Sequence, residues 1–165
     1  MLGLSFASFT ALHVAISLVG LGAGFVAVGA MLAGRWLGGW TALFLATTVL
    51  TSATGFLFPF NAVTPAHVVG GLSQVVLALA LYALYGKGLQ GGWRRVYIVT
   101  AVAALYLNSF VGLVQTFQKQ PALAELAPTQ SEAPFVAAQL LLLVVFVWLG
   151  VTLARRFPGL ARLPG

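Results

Sequence analysis

Residues Pro134–Ala154 read PFVAAQLLLLVVFVWLGVTLA, a run of 21 residues that contains no charged side chain. A helix needs about 20 consecutive apolar residues to cross a bilayer, so this run predicts a membrane-spanning helix. Four earlier runs have similar length and character, at about Thr10–Ala33, Trp40–Phe58, Pro65–Tyr85 and Val96–Phe117. The sequence therefore predicts an all-α integral membrane protein with five transmembrane helices and contact with the lipid bilayer.

The composition agrees with that class of protein. Of the 165 residues, 61% are hydrophobic and 6% are charged, and the mean hydropathy is +1.03. A soluble domain carries about 25% charged residues. Five crossings leave no length for a separate soluble domain, so residues 1–165 are expected to form one transmembrane domain. The chain has no cysteine, which excludes disulfides, thiolate metal sites and iron–sulfur ligation.

The positions of the basic residues predict the orientation of the chain. With five crossings, one side of the membrane receives all but one of them: Arg35, Lys87, Arg94, Arg95, Arg155, Arg156 and Arg162, leaving Lys119 on the other side. Basic loops stay cytoplasmic. We therefore expect an outside N-terminus, a cytoplasmic C-terminus and a bacterial inner (plasma) membrane. The net charge of +6 is read as orienting charge, and no nucleic-acid partner is expected.

An internal repeat is indicated within the first four helices. The segment Ala11–Val14 (ALHV) resembles Ala66–Val68 (AHV), and each is followed by a Gly-Gly-Trp sequence, at Gly38–Trp40 and Gly91–Trp93. The repeat units cover about residues 10–60 and 64–118. A duplicated helical hairpin of this kind predicts a four-helix bundle with pseudo-twofold symmetry about the membrane normal. The fifth helix, at about 134–154, stands outside the repeat.

The repeat places two histidines, His13 and His67, about three residues into helices that start at the outer face. Ionisable residues inside membrane spans are rare and usually functional. The helix faces that carry them are made of small or polar residues and predict a lined pocket: Ser17, Gly20, Gly70, Gly71 and Gln74. Two other interpretations stay open. Stripes of small residues also allow membrane helices to pack closely, and a histidine near the interface is often simply hydrogen-bonded.

Haem b is the metal cofactor that needs the fewest protein ligands, and two histidines are enough for it. Zinc needs three or four protein ligands, and copper(I) favours Met or Cys. Haem supplies four nitrogens of its own and needs only axial ligands, for which His13 and His67 suffice. Without a Cys-x-x-Cys-His motif its attachment would not be covalent. The outer face offers only Lys119 to pair with the propionates, which counts against haem. This hypothesis predicts electron transfer, with a quinone or another membrane redox protein as partner.

Two further hypotheses need no redox cofactor. Polar side chains concentrate in the outer half of the predicted bundle and could line a cavity for a small uncharged ligand that is bound or transported: Asn61, Asn108, Gln115 and Gln139. Alternatively, the chain is a structural subunit whose polar residues join its helices, since facing polar groups in membranes commonly hydrogen-bond. No nucleotide-binding or hydrolase motif is present in the sequence.

Overall fold

The structure, a computed structural model, describes residue 3 and residues 5–58 and 65–158. These residues form helices and no strands. The helices are α1 (Phe6–Leu32), α2 (Gly38–Gly55), α3 (Pro65–Leu81), which continues into a π-helical turn (Tyr82–Gly86), α4 (Trp93–Lys119), the short α5 (Pro121–Leu126) and α6 (Ala133–Arg156). The predicted all-α class is confirmed.

Four helical segments of the described chain are long and apolar enough to cross a membrane: Phe6–Leu32, His67–Gly86, Trp93–Lys119 and Ala133–Arg156. The exception among the five predicted spans is α2. Five threonines and a serine lie within its 18 residues, and their hydroxyl groups lower its hydropathy. The count of five crossings and the duplicated hairpin therefore stay predictions, whereas the four apolar helices are found and indicate a membrane protein.

Helix α2 nevertheless lies antiparallel along α1. At one end of their interface His13 contacts Thr54. About three helical turns further along α1, a side chain at Gly24 would lie 2.8 Å from a ring carbon of Phe44. The residue numbers rise in one helix as they fall in the other, so α2 runs back across the same depth of the bundle as α1.

The remaining helices complete an up-and-down bundle. Helix α2 packs on α3, α3 on α4, and α4 on both α1 and α6. The core side chains are fully buried and mostly apolar, among them Leu77, Ile98, Ala101 and Leu105. Helix α6 covers the outside of α4 and leaves a broad apolar face exposed, as a lipid-facing helix does.

Two predicted details are wrong. Helix α1 begins at Phe6 and not near Thr10, because Ser5 caps it: the Ser5 hydroxyl accepts a hydrogen bond from the Ser8 amide at 3.1 Å. His13 therefore lies about two turns inside α1, whereas His67 lies in the first turn of α3. The short helix α5 was not expected, because its six residues fall in the stretch from Lys119 to Ala133, which the sequence indicates as a connection between helices.

Candidate functional site

His13 is held by a hydrogen bond to Thr54. Its Nδ1 atom lies 2.8 Å from the Thr54 hydroxyl oxygen. That hydroxyl also reaches the carbonyl oxygen of Leu50, at 2.7 Å. While its single hydrogen points to Leu50, the Thr54 oxygen accepts from Nδ1–H of His13. In that tautomer Nε2 of His13 carries the lone pair.

One aromatic ring packs on this imidazole, and a second packs on that ring. The ring of Phe58 meets it edge to face, with 5.1 Å between centroids and 88° between planes. Phe9 packs on the same phenylalanine at 5.0 Å. A side chain added at Gly55 would lie 3.8 Å from Cε1 of His13. The half-buried imidazole thus lies in an apolar setting at the end of α2, with Thr54 as its hydrogen-bond partner.

His67 also lies beside the C-terminal end of α2. Its ring is 6.0 Å from the ring of Phe56 and tilted by 44°. Phe56 in turn lies against Gly70, where an added side chain would be 3.4 Å from the phenylalanine ring. Both histidines are therefore close to the same turn of α2, but the described ring contacts are with different phenylalanines. A porphyrin that joined the two imidazoles would lie close to both phenylalanines.

The predicted pocket residues on α1 take part in helix packing. A side chain at Gly20 would lie 3.0 Å from the hydroxyl of Thr47 and 3.2 Å from that of Thr48. Ser17 donates to the carbonyl oxygen of His13 at 2.9 Å and approaches the Thr51 hydroxyl at 3.4 Å. Small and hydroxyl-bearing side chains therefore bring α1 and α2 together at this level, as the packing interpretation predicts.

The predicted pocket residues on α3 are more varied. Gln74 donates through Nε2 to the carbonyl oxygen of Val49 in α2, at 3.3 Å. Gly70 is covered by Phe56, whereas Gly71 has open space where a side chain would be. Of the predicted pocket residues, only Gly71 offers such open space beside α3.

The three proposed cavity residues that the structure describes have three different environments. Asn108 donates to the carbonyl oxygen of Ser17 in α1, at 3.4 Å. Gln139 is partly buried, and neither its amide nitrogen nor its amide oxygen has a hydrogen-bond partner. Gln115 is exposed. Asn61 lies outside the described residues.

Metal chemistry is limited by the ligand supply. Across residues 5–58 and 65–158, no group of three or more His, Cys, Asp or Glu side chains could hold a metal ion. A zinc site built from protein ligands alone is therefore not supported there. A cofactor that brings its own equatorial nitrogens is not subject to that limit.

Sequence reasoning missed the part played by Thr54. Helix α2 is visibly rich in hydroxyls, but nothing in the sequence says which hydroxyl faces His13. The signal would have been the register of the α1–α2 hairpin, which places residue 54 opposite residue 13.

The chain matches no family model, no curated protein and no solved structure.

Proposed function

We propose that this membrane protein binds haem b through His13 and His67 and transfers electrons. The observation that carries the proposal is the contact of His13 Nδ1 with the Thr54 hydroxyl, which leaves Nε2 as the nitrogen that would bind the haem iron. Haem-ligating histidines commonly hydrogen-bond a neighbouring group through their other ring nitrogen, as His13 does with Thr54. A bound haem would supply one-electron chemistry, and a quinone or another membrane redox protein is the proposed partner.

The surrounding residues set what binding requires. Phe56 and Phe58 are apolar and suit the faces of a porphyrin, and each already packs on one of the two histidines. His67, which packs on Phe56 at the same end of α2, is the proposed second ligand. The lining residues Ser17, Gly20, Gly70, Gly71 and Gln74 belong to the proposal, with the least rearrangement at Gly71, where space is already open.

We also propose the finer topology. The antiparallel course of α2 along α1 supports a fifth crossing, and the positions of the basic residues support an outside N-terminus and a cytoplasmic C-terminus. A bacterial inner membrane is the proposed location. In this arrangement both histidines lie toward the outer face.

Expression with ample haem tests the cofactor. The purified protein is expected to show the visible absorbance of a low-spin, histidine-ligated haem. His13→Ala and His67→Ala should each remove that spectrum while the protein keeps its helical circular dichroism. Gln115→Ala is the matched control and should keep the spectrum. Gln115 is exposed and lies on α4, at the same end of the bundle as the histidines.

Binding or transport of a small uncharged ligand is the second candidate. It is favoured by the unpartnered amide of Gln139 and by a cleft of about 300 Å³ beside Phe117, lined in part by Gln118, Thr129 and Gln130. Both features offer neutral donors and acceptors. A colourless protein that retains a small molecule through purification would favour this candidate over the haem site. The remaining candidate, a structural subunit, is supported by the close packing at Gly20 and Gly24.

A further inference from the structure

We infer that a groove at the opposite, arginine-rich end of the bundle binds one anionic phospholipid. The groove has a volume of about 430 Å³ and lies between the start of α4 and the end of α6. Its lining combines basic and apolar side chains: Arg94, Arg95, Val151, Ala154 and Arg155. The site is separate from the histidines and does not rest on the haem proposal.

No acidic side chain lies near these arginines. The only acidic residues of the sequence are Glu125 and Glu132. Both follow the far end of α4 and precede α6, and the 27 residues of α4 extend about 40 Å. Over that distance a surface charge is screened by salt. The three guanidinium groups therefore present an uncompensated positive charge, which an external anion can neutralise.

Arg94 has a different role from the other two arginines. Its Nη1 atom donates to the carbonyl oxygens of Ala154 and Phe157, at the C-terminal end of α6. These bonds join α4 to α6 beside the groove. Arg95 and Arg155 are exposed and remain available for a phosphate, which guanidinium groups bind in a fork geometry.

Apolar side chains in and beside the groove favour a lipid over a soluble phosphate. Trp148, Val151 and Arg155 lie at positions i, i+3 and i+7, so they share one face of α6. Trp148 is 61% exposed and Val151 is 45% exposed. Along this face the exposed apolar side chains of Trp148 and Val151 are followed directly by the basic side chain of Arg155. A phospholipid matches that order, with its acyl chain on Val151 and Trp148 and its phosphate at Arg155 and Arg95.

The test measures phosphatidylglycerol binding to the detergent-purified full chain by native mass spectrometry. Phosphatidylcholine with the same acyl chains is the neutral comparison, and glycerol 3-phosphate is the soluble headgroup. The wild type should bind phosphatidylglycerol in preference to phosphatidylcholine, and glycerol 3-phosphate should not compete. Arg155→Gln should weaken binding about 5-fold, and Arg95→Gln with Arg155→Gln about 30-fold, since each such contact contributes about 1 kcal/mol.

Arg156→Gln is the matched control, because Arg156 carries the same charge one residue further on and does not line the groove. It should leave the affinity nearly unchanged. Circular dichroism and size-exclusion chromatography check that each variant folds. An equal loss in Arg156→Gln and Arg155→Gln would overturn the inference, because the attraction would then be diffuse. Competition by glycerol 3-phosphate, or equal binding of phosphatidylcholine, would overturn it as well.

Discussion

His13 and Thr54 are 41 residues apart in the chain, and their side chains meet with 2.8 Å between Nδ1 and the hydroxyl oxygen. This bond does two things. It joins α1 to α2, and it occupies the Nδ1 atom of His13. The same contact therefore serves helix packing and leaves Nε2 as the ring nitrogen on which the haem proposal depends.

Removing the Thr54 acceptor should weaken haem binding without unfolding the bundle. Thr54→Val keeps the shape of the side chain and deletes the hydroxyl, so His13 loses the group that orients it. Loss of such an outer partner typically lowers metal affinity 10- to 100-fold. Haem titration followed by absorbance measures the change. Thr116→Val is the control, since that hydroxyl bonds only to its own helix at Gly112. Equal affinities for the two variants would contradict the assigned role of Thr54.

Gly24 is expected to tolerate no side chain. A methyl group there would lie 2.5 Å from Cδ1 of Leu105 and 2.8 Å from a ring carbon of Phe44. Gly24→Ala should therefore reduce the free energy of unfolding by about 1–3 kcal/mol. Gly22, on the same helix, has no atom within 4 Å of an added side chain. Gly22→Ala should leave stability unchanged or raise it by up to about 1 kcal/mol in the same denaturation assay, because alanine has the higher helix propensity. Similar losses at both glycines would argue against the close contact of α1 with α2 and α4.

Gln139→Met should stabilise the protein if no ligand engages the amide. The substitution keeps the length of the side chain and removes two buried polar atoms that have no partner. Relief of an unsatisfied group is worth about 1–3 kcal/mol. Thermal unfolding in detergent measures it, with Gln90→Met in an exposed loop as the control. A lower unfolding temperature for Gln139→Met would indicate that the amide has a partner in the purified protein, as the small-ligand candidate predicts.

The connection between α5 and α6 should loosen in acid. Desolvation would raise the pKa of Glu132, but hydrogen bonds from Thr129 and from the Ser131 amide outweigh it and hold this pKa below its ordinary value. A lowered folded-state pKa means that the carboxylate stabilises the loop at neutral pH. That contribution is lost as the pH falls through the lowered pKa. Hydrogen exchange of the Thr129 and Ser131 amides should report the loss, and Glu132→Gln should reduce its pH dependence. If the pH dependence of protection in Glu132→Gln equals that of the wild type, the assignment is contradicted.

The sequence predicted the helices better than their contacts. Runs of apolar residues identify membrane helices because each crossing needs a fixed length, so α6 was expected at 134–154 and is found at Ala133–Arg156. Helix α2 was predicted as a spanning helix and is found as a helix, but its threonines leave it less apolar than the four helices that are apolar enough to cross a membrane. The extension of α1 to Phe6 depends on a single serine cap, which the apolar pattern does not reveal.

The site was harder to predict because one pattern serves two purposes. A stripe such as Gly20 and Gly24 is compatible with an open pocket and with close packing. Only the register of neighbouring helices decides between them, and here Thr47 and Phe44 fill the space. The partner of His13 depended on the same register. The two histidines themselves could be selected from the sequence, since charged and ionisable groups are so few in the spans.

The absorption spectrum of protein produced with ample haem, recorded before and after reduction, tests the proposed role of the histidines. The proposal predicts one haem per chain, a low-spin spectrum that changes on reduction, and loss of that spectrum in both His13→Ala and His67→Ala. Folded protein that is colourless under these conditions, or a spectrum that persists in both variants, would contradict it.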